Sequence, residues 1–171
     1  TDVSIRIAEE SDLPGVMSLL RACIDDMRAR GIDQWDEIYP TQERFAADVS
    51  DRALYVGSTD GVQLVGAFTL NGYQDAEYAA ASWTFNDARV SVVHRLIVHP
   101  AFHGRGIARE LMRFAEDLAT SLGCGIMRLD AFRSNPKALR LYRALGYLEA
   151  GEGRFRKGAF VCFEKRLDSG G

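Results

Sequence analysis

The segment best suited to chemistry is HPAFHGRGIARELM, at residues 99–112. Gly104 and Gly106 flank Arg105 there, after an apolar run and before apolar side chains that recur at helical spacing. Glycine lets successive backbone N–H groups converge at the start of a helix, where they and the helix dipole attract anions. Residues 103–113 also hold three arginines and one glutamate, within a chain of net charge −3. The segment therefore predicts a phosphate-binding turn.

Other interpretations of these glycines can be weighed from the residues. An ordinary strand-to-helix turn with solvated arginines fits equally well, because short glycine motifs recur by chance, and the glycines alone leave it open. A P-loop does not fit, because no Gly-Lys-Ser/Thr follows. A dinucleotide-binding turn does not fit either, since Arg109 stands where the third glycine belongs and the turn follows an internal strand.

The cysteines and histidines predict neither a nucleophile nor a metal centre. The three cysteines are Cys23, Cys124 and Cys162. They are odd in number, far apart and without a recognisable histidine partner, which favours reduced thiols and a cytosolic setting. His94, His99 and His103 straddle a strand end, a proline and a glycine turn with no cysteine or carboxylate among them, so we expect no metal site.

Periodicity and turn signals predict the elements that position these residues, in the order β-α-α-β-β-β-α-β-α-β-β. The strands are predicted at 3–7, 53–58, 64–70, 91–98, 127–132, 147–151 and 159–165, and the helices at 13–30, 42–49, 107–122 and 136–145. Helix N-caps are offered by Ser11 or Asp12, by Thr41 and by Asn135. Residues 59–61 predict a hairpin turn and residues 71–88 a long loop. Because only the middle alternates strand with helix, we expect an α+β (α/β) fold with about seven strands in a mixed, mostly antiparallel sheet.

The composition is that of one globular domain. The chain has 171 residues, 47% apolar and 26% charged, which suits a single core. We expect one domain over residues 1–167 and a flexible tail at 168–171. No apolar run approaches the roughly 20 residues that cross a bilayer, and the first residues lack the blocks of a signal peptide. The net charge of −3 also differs from the strongly basic charge that is typical of a nucleic-acid-binding protein.

Two blocks of the sequence form a recognisable pair. The first is His103-Gly104-Arg105-Gly106-Ile107-Ala108, and the second is Asn135-x-x-Ala138-x-x-x-Tyr142-x-x-x-Gly146-Tyr147. In this order they resemble the motifs Arg/Gln-x-x-Gly-x-Gly/Ala and Asn-x-x-Ala-x-x-x-Tyr-x-x-x-Gly-Phe of the GNAT superfamily of acetyl-CoA-dependent N-acyltransferases. The resemblance covers essentially the whole chain, and the predicted strand order is similar to that of the family's fold. His103 departs from the usual Arg/Gln and Tyr147 from the common Phe.

The resemblance implies acetyl-CoA or coenzyme A as the cofactor. Its pantetheine arm would lie between the strands at 91–98 and 127–132, where backbone groups of Leu96, Ile97 and Val98 would bond its amides as an added strand would. The pyrophosphate would lie on the N–H groups of His103, Gly104, Arg105, Gly106, Ile107 and Ala108. Asn135 and Tyr142 would approach the cofactor, although the N-cap of the last helix is an equally good role for Asn135.

The resemblance also implies catalytic roles. Acyl transfer to an amine needs a neutral amine, a stabilised oxyanion and a protonated leaving thiolate. Tyr142 stands where many members carry the general acid, with a core aromatic as the alternative. The Val98 N–H is the implied oxyanion donor. His94 stands where some members have a glutamate base, and histidine suits that task; a hydrogen-bonded sheet histidine is the alternative.

For the acceptor, the family uses two loops that correspond to residues 32–40 and 71–87. Trp35, Asp36 and Tyr39 in the first loop and Glu77 in the second are the candidate contacts, and Glu77 is also a weaker candidate for the base. Carboxylates beside an aromatic face suit a cationic amine. A solvated acidic loop with Trp35 as a hydrophobic plug is the alternative.

The sequence thus predicts an N-acetyltransferase that moves an acetyl group from acetyl-CoA to a small-molecule or peptide amine by direct attack in a ternary complex. The alternative is a non-catalytic acyl-CoA-binding module on the same fold, and the presence of Tyr142 favours the enzyme. We expect a cytoplasmic protein with no nucleic-acid or membrane partner. The sequence leaves open whether the chain forms a homodimer.

Overall fold

In the computed structural model, which describes residues 2–168, seven strands and four helices follow one another in the predicted order. The strands are β1 (Ser4–Ile7), β2 (Leu54–Ser58), β3 (Leu64–Asn71), β4 (Val90–Val98), β5 (Ile126–Phe132), β6 (Leu148–Phe155) and β7 (Gly158–Arg166). The helices are α1 (Leu13–Ala29), α2 (Gln42–Ser50), α3 (Ile107–Ser121) and α4 (Pro136–Ala144). Residues 169–171 of the predicted tail lie outside the described residues.

The strands form one mixed sheet in the order β1-β2-β3-β4-β5-β7-β6. β1 and β2, β2 and β3, β5 and β7, and β6 and β7 pair antiparallel. β4 and β5 pair in parallel, with Val90 opposite Ile126 and Val92 opposite Arg128. The predicted fold class, a mixed and mostly antiparallel sheet with four helices, is confirmed.

The predicted side-chain caps are present at two helices and absent at a third, where Ser11 lies within a 3-10 helix and Asp12 occupies the N-cap position of α1. Thr41 accepts a hydrogen bond from the Arg44 N–H at 3.1 Å, and Asn135 accepts one from the Ala138 N–H at 3.3 Å. Asp12, in contrast, makes no capping bond to α1. Its carboxylate instead binds the Arg6 guanidinium through both oxygens, at 2.7 and 2.8 Å. The same carboxylate accepts from the Glu9 N–H at 2.7 Å, so its oxygens serve Arg6 and the preceding 3-10 helix rather than the first turn of α1.

Two connections are more ordered than the sequence predicts. The turn between β2 and β3 instead joins the strands at their predicted ends, Ser58 and Leu64. The loop at 71–88 contains a short 3-10 helix, Ala76–Ala80. The last two strands extend beyond their predicted ends because their hairpin pairs as far as Phe155 opposite Gly158.

The chain divides into two compact units. The first comprises the described residues up to Leu70 together with Arg95–Phe114, and the second comprises Asn71–His94 and the residues from Ala115 onward. The prediction of one domain over residues 1–167 stays a prediction. Among residues 2–168, none of the helices combines the length and apolar composition that crossing a membrane requires.

In the first unit, α1 and α2 contribute apolar side chains to a core with β2, β3 and β4. Its buried members include Val16, Leu19, Leu20, Phe45, Val56, Ala67 and Ile97. The start of α3 lies close to the sheet at Gly66, where an added Cβ would come within 2.7 Å of Leu111. This close packing sets the position at which α3 begins.

The second unit buries apolar side chains around β5 and β7. One cluster contains Tyr78, Val92, Ala150 and Cys162. A separate aromatic group joins Tyr142 of α4 to Tyr147 and Phe163, with ring centroids 6.0 and 5.8 Å apart. The Tyr147 hydroxyl donates to Glu116 of α3 at 2.7 Å, which ties α3 to the start of β6 within this unit.

Candidate functional site

The predicted phosphate-binding turn lies in the first unit, between β4 and α3. Gly104 and Gly106 have φ angles of 78° and 79°, in the left-handed region that favours glycine. A Cβ added at either position would meet nothing within 4 Å. The Gly106 carbonyl accepts from the Glu110 N–H at 3.1 Å, so the N–H groups that follow belong to a first helical turn with no partners inside the helix. The turn therefore has the shape and the open approach that a phosphate needs.

Positive charge lines the same turn. Arg105, Arg109 and Arg113 are all exposed, and their four-residue spacing places the last two on one face of α3. The Arg105 guanidinium lies 5.0 Å from the centroid of the Phe102 ring. These arginines can attract an anion to the turn.

His103, the first residue of the motif, makes its polar contacts inside the unit. Its N–H donates to the Pro100 carbonyl at 3.2 Å. Its ring Nε2 lies 3.1 Å from the Val98 carbonyl oxygen and its Nδ1 lies 3.2 Å from the Arg30 guanidinium. A carbonyl only accepts and a guanidinium only donates, so Nε2 carries the proton and Nδ1 accepts from Arg30.

The end of β4 carries the residues expected to bind the pantetheine arm. Ile97 is buried in the core and Leu96 is half-buried. The Val98 carbonyl accepts from the Cys23 thiol at 3.1 Å as well as from His103. Burial raises the pKa of Cys23 to about 12, so this thiol is a protonated donor and a poor nucleophile.

Arg95 is a feature of β4 that the sequence analysis missed. Its φ angle is 52°, which interrupts the strand in the left-handed region. Its buried guanidinium donates to Asp48 at 2.6 Å and to the Tyr39 hydroxyl at 2.8 Å. Asp48 also accepts from the Thr69 hydroxyl at 2.9 Å. A lone arginine in an apolar strand was the available signal, but its partners on α2 and in the loop cannot be recognised from spacing.

The first candidate acceptor loop is held by its own polar groups. Trp35 packs against the core of the first unit, as its alternative role as a hydrophobic plug predicts. The Asp36 carboxylate accepts from the backbone N–H groups of Ile38 and Tyr39, at 2.9 and 3.3 Å. Tyr39 is 41% exposed, and its hydroxyl accepts the bond from Arg95. Tyr39 thus connects this loop to β4.

Tyr142 is buried in the second unit, on α4. Burial is the main cause that raises its pKa, and the negative charge of Asp130 adds to the effect. The phenol is therefore protonated at neutral pH. Its ring packs against Tyr147 and Phe163, and within residues 2–168 no hydrogen bond to its hydroxyl is seen. A buried phenol of this kind needs a polar partner.

His94 and Glu77 also lie in the second unit. The buried His94 places Nε2 3.1 Å from the Tyr73 carbonyl and 2.9 Å from Asn71 Oδ1, so Nε2 carries a proton and donates. The hydrogen-bonded role is therefore present in the structure, and the role as base stays a prediction. Glu77 is half-buried in the 3-10 helix and faces Gly153 of β6, whose added Cβ would lie 3.3 Å from its own.

The long loop that carries Glu77 is bound to β5 and β7, which the sequence did not indicate. The Tyr78 hydroxyl donates to Asp130 at 2.6 Å. Glu164 accepts from the N–H groups of Thr84 and Phe85, each at 2.8 Å. The Arg128 guanidinium lies 4.1 Å from the Trp83 ring centroid. Within residues 2–168, no three His, Cys, Asp or Glu side chains are placed to share a metal ion.

This fold and this turn define a mixed α/β protein in which α3 begins at an open turn with two left-handed glycines. The model of the acetyltransferase (GNAT) family matches residues 21–147, and the chain therefore belongs to that family. The N-alpha-acetyltransferase RimI of Mycobacterium tuberculosis is 38% identical over 80 residues, covering 46% of this chain and 49% of that protein. The chain spans about half the length, or less, of this and two further curated relatives that it matches.

Solved structures show the same fold. A GNAT-family acetyltransferase from Streptococcus agalactiae has a TM-score of 0.85, covering 97% of this chain and 96% of that chain at 22% identity. The protein yncA from Salmonella typhimurium, solved with its cofactor acetyl-CoA, has a TM-score of 0.70 at 18% identity, covering 98% of this chain and 95% of that chain. At these identities the likeness concerns the fold alone.

Proposed function

We propose that the protein is an N-acetyltransferase that moves the acetyl group of acetyl-CoA to an amine by direct attack. The observation that carries the proposal is the turn at 104–108, where two left-handed glycines leave the backbone open at the start of α3. Such a turn suits a diphosphate, and the exposed arginines beside it complement the charge. Acetyl-CoA would supply the activated thioester. Support also comes from yncA, a protein of the same fold that was solved with acetyl-CoA.

In this proposal, the backbone N–H groups of Gly104, Arg105, Gly106, Ile107 and Ala108 bind the pyrophosphate. The N–H of His103 is already bonded to Pro100, so it contributes nothing to that set. The backbone of Leu96, Ile97 and Val98 binds the pantetheine arm. The Asn135 side chain keeps its cap on α4, and a cofactor contact is additional to it.

Tyr142 is proposed as the general acid. Its phenol holds a proton at neutral pH, as an ordinary tyrosine does, and burial raises its pKa further, so its hydroxyl can donate to the leaving thiolate. The Val98 N–H is proposed as the donor to the oxyanion, which is the group whose charge grows in the transition state. His94 is proposed as the base that receives the amine proton, with Glu77 as the second candidate.

The proposed acceptor is an amine on a small molecule or a peptide. Trp35, Asp36, Tyr39 and Glu77 are its candidate contacts. Their carboxylates and aromatic faces suit a cation. This chain is similar to RimI, which is an N-alpha-acetyltransferase, and that similarity supports an amine as the acceptor. The three unpaired cysteines, all described, support the proposed cytoplasmic location.

The test is thiol release from acetyl-CoA in the presence of polyamines, amino acids, aminoglycosides and peptides with a free N-terminus. Release that depends on both protein and amine supports the enzyme. Calorimetric binding of acetyl-CoA without release across a wide panel supports the non-catalytic module instead. Absence of both binding and release contradicts both functions.

A further inference from the structure

We propose that Cys23 and His103 are positioning residues that hold the Val98 carbonyl and thereby orient the Val98 N–H. The proposal rests on the proposed function, in which that N–H donates to the oxyanion. It gives His103, which stands at the Arg/Gln position of the phosphate motif, a role in turnover in place of a role in phosphate affinity.

Three hydrogen bonds hold the peptide group between Val98 and His99. A carbonyl oxygen can accept two hydrogen bonds, and this one accepts from Cys23 Sγ and His103 Nε2, each at 3.1 Å. The N–H of the same peptide donates to the Val65 carbonyl at 2.8 Å. All the polar capacity of this peptide is therefore used, by donors from α1 and the turn and by an acceptor in β3.

The Val98 N–H belongs to the preceding peptide group, separated from the held one by a single Cα. Holding the carbonyl restricts the backbone rotation at Val98, so it also restricts the direction of the N–H. Oxyanion donors act through preorganised direction. A small rotation at this residue would weaken the donor without removing it.

His103 is itself held by α1. The Arg30 guanidinium donates to Nδ1 at 3.2 Å and pairs with Asp26 at 2.6 Å. These contacts select the neutral tautomer with the proton on Nε2, which is the one that can donate to Val98. The ring is thus occupied on both nitrogens, so the donors that a phosphate would meet at this turn are the backbone N–H groups beyond His103 and the exposed arginines beside them.

The test compares His103→Ala with the matched variant His103→Gln. Glutamine can donate to the Val98 carbonyl and accept from Arg30, whereas alanine can do neither. For His103→Ala we expect kcat to fall about 10- to 100-fold, less than the loss of a whole oxyanion donor, with the Kd of acetyl-CoA by calorimetry within about twofold. His103→Gln should recover most of that kcat. Cys23→Ala should lower kcat in the same way, and Cys23→Ser, which keeps a donor, should restore it.

A second readout does not depend on turnover. Hydrogen exchange of the His99 amide should be faster in His103→Ala and Cys23→Ala than in the wild type, and close to wild type in His103→Gln. Unchanged exchange, or a weakened Kd with an unchanged kcat at saturation, would overturn the positioning role. If the wild-type protein transfers no acetyl group, the proposed function is contradicted. The hydrogen-exchange data would still decide whether Cys23 and His103 hold the Val98 carbonyl.

Discussion

At the scale of single residues, two groups in the second unit could handle protons. The Tyr142 phenol is buried and protonated, and no partner for its hydroxyl is seen in residues 2–168. The His94 ring donates from Nε2 to the loop that follows β3. The first group suits donation to a thiolate and the second suits acceptance from an amine. Each role can be removed by a substitution that keeps the packing.

Tyr142→Phe removes the phenol and keeps the ring contacts with Tyr147 and Phe163. We expect turnover to fall by about 10²–10⁴, the range for loss of a general acid, with little change in the Kd of acetyl-CoA. Steady-state kinetics and calorimetry measure the two effects. The matched control is Tyr147→Phe, which loses a buried hydroxyl bonded to Glu116 and should lower stability by about 1 kcal/mol without a comparable loss of turnover. Equal turnover in wild type and Tyr142→Phe would leave Tyr142 as a packing residue.

The variant His94→Gln distinguishes two roles of this histidine: a catalytic base, and a strand residue that only forms hydrogen bonds. The glutamine amide can still donate to the Tyr73 carbonyl but cannot take up a proton near neutral pH. We expect kcat/KM to fall by about 10²-fold or more and the acidic limb of its pH profile to disappear. A pH profile of unchanged shape would show that the imidazole is not the base and would direct attention to Glu77.

Among the helices and strands, the features that the sequence predicts correctly are those set by residues close together in the chain. Helices and strands appear in the predicted order because each has a clear apolar periodicity, and Thr41 and Asn135 cap their helices because capping is a contact over three residues. The contacts that the sequence could not predict join distant parts of the chain. The His103 ring turns toward Arg30, 73 residues earlier.

Arg95 illustrates the same limit within a strand. Its left-handed backbone conflicts with strand propensity, and it is accompanied by buried contacts to Asp48 and Tyr39. Such tertiary contacts override local preference. Asp12 was predicted as a cap and occupies the N-cap position of α1, but its carboxylate is engaged by Arg6 and by the Glu9 N–H instead.

The turn before α3 can be tested against a glycine of the same geometry. Gly106 and Gly31 have φ angles of 79° and 76°, and an added Cβ meets nothing within 4 Å at either. Gly106→Glu and Gly31→Glu should therefore each lower stability by about 1–2 kcal/mol, because a side chain is strained in this region. Only Gly106→Glu places a carboxylate at the proposed phosphate site, so it alone should abolish acetyl-CoA binding by calorimetry. Tight binding by Gly106→Glu would place the phosphates elsewhere.

At the scale of the whole molecule, the prediction concerns stability. Two compact units share β4 and α3 along the chain, and a single domain over residues 1–167 predicts that they unfold in one cooperative transition. A ligand that binds only the folded state stabilises it by about 2.7 kcal/mol at a hundred times its Kd. Scanning calorimetry measures both quantities in the same experiment.

With coenzyme A at about a hundred times its Kd, we expect one transition whose Tm rises by about 5–10 °C, since 1 kcal/mol shifts a chain of this length by about 2–4 °C. Gly106→Glu should unfold at a Tm that coenzyme A leaves unchanged, while Gly31→Glu should start from a similarly lowered Tm and still respond. Two separate transitions would contradict the single domain. A wild-type Tm that neither coenzyme A nor acetyl-CoA raises would contradict the enzyme and the binding module together, because both require the cofactor to bind the folded chain.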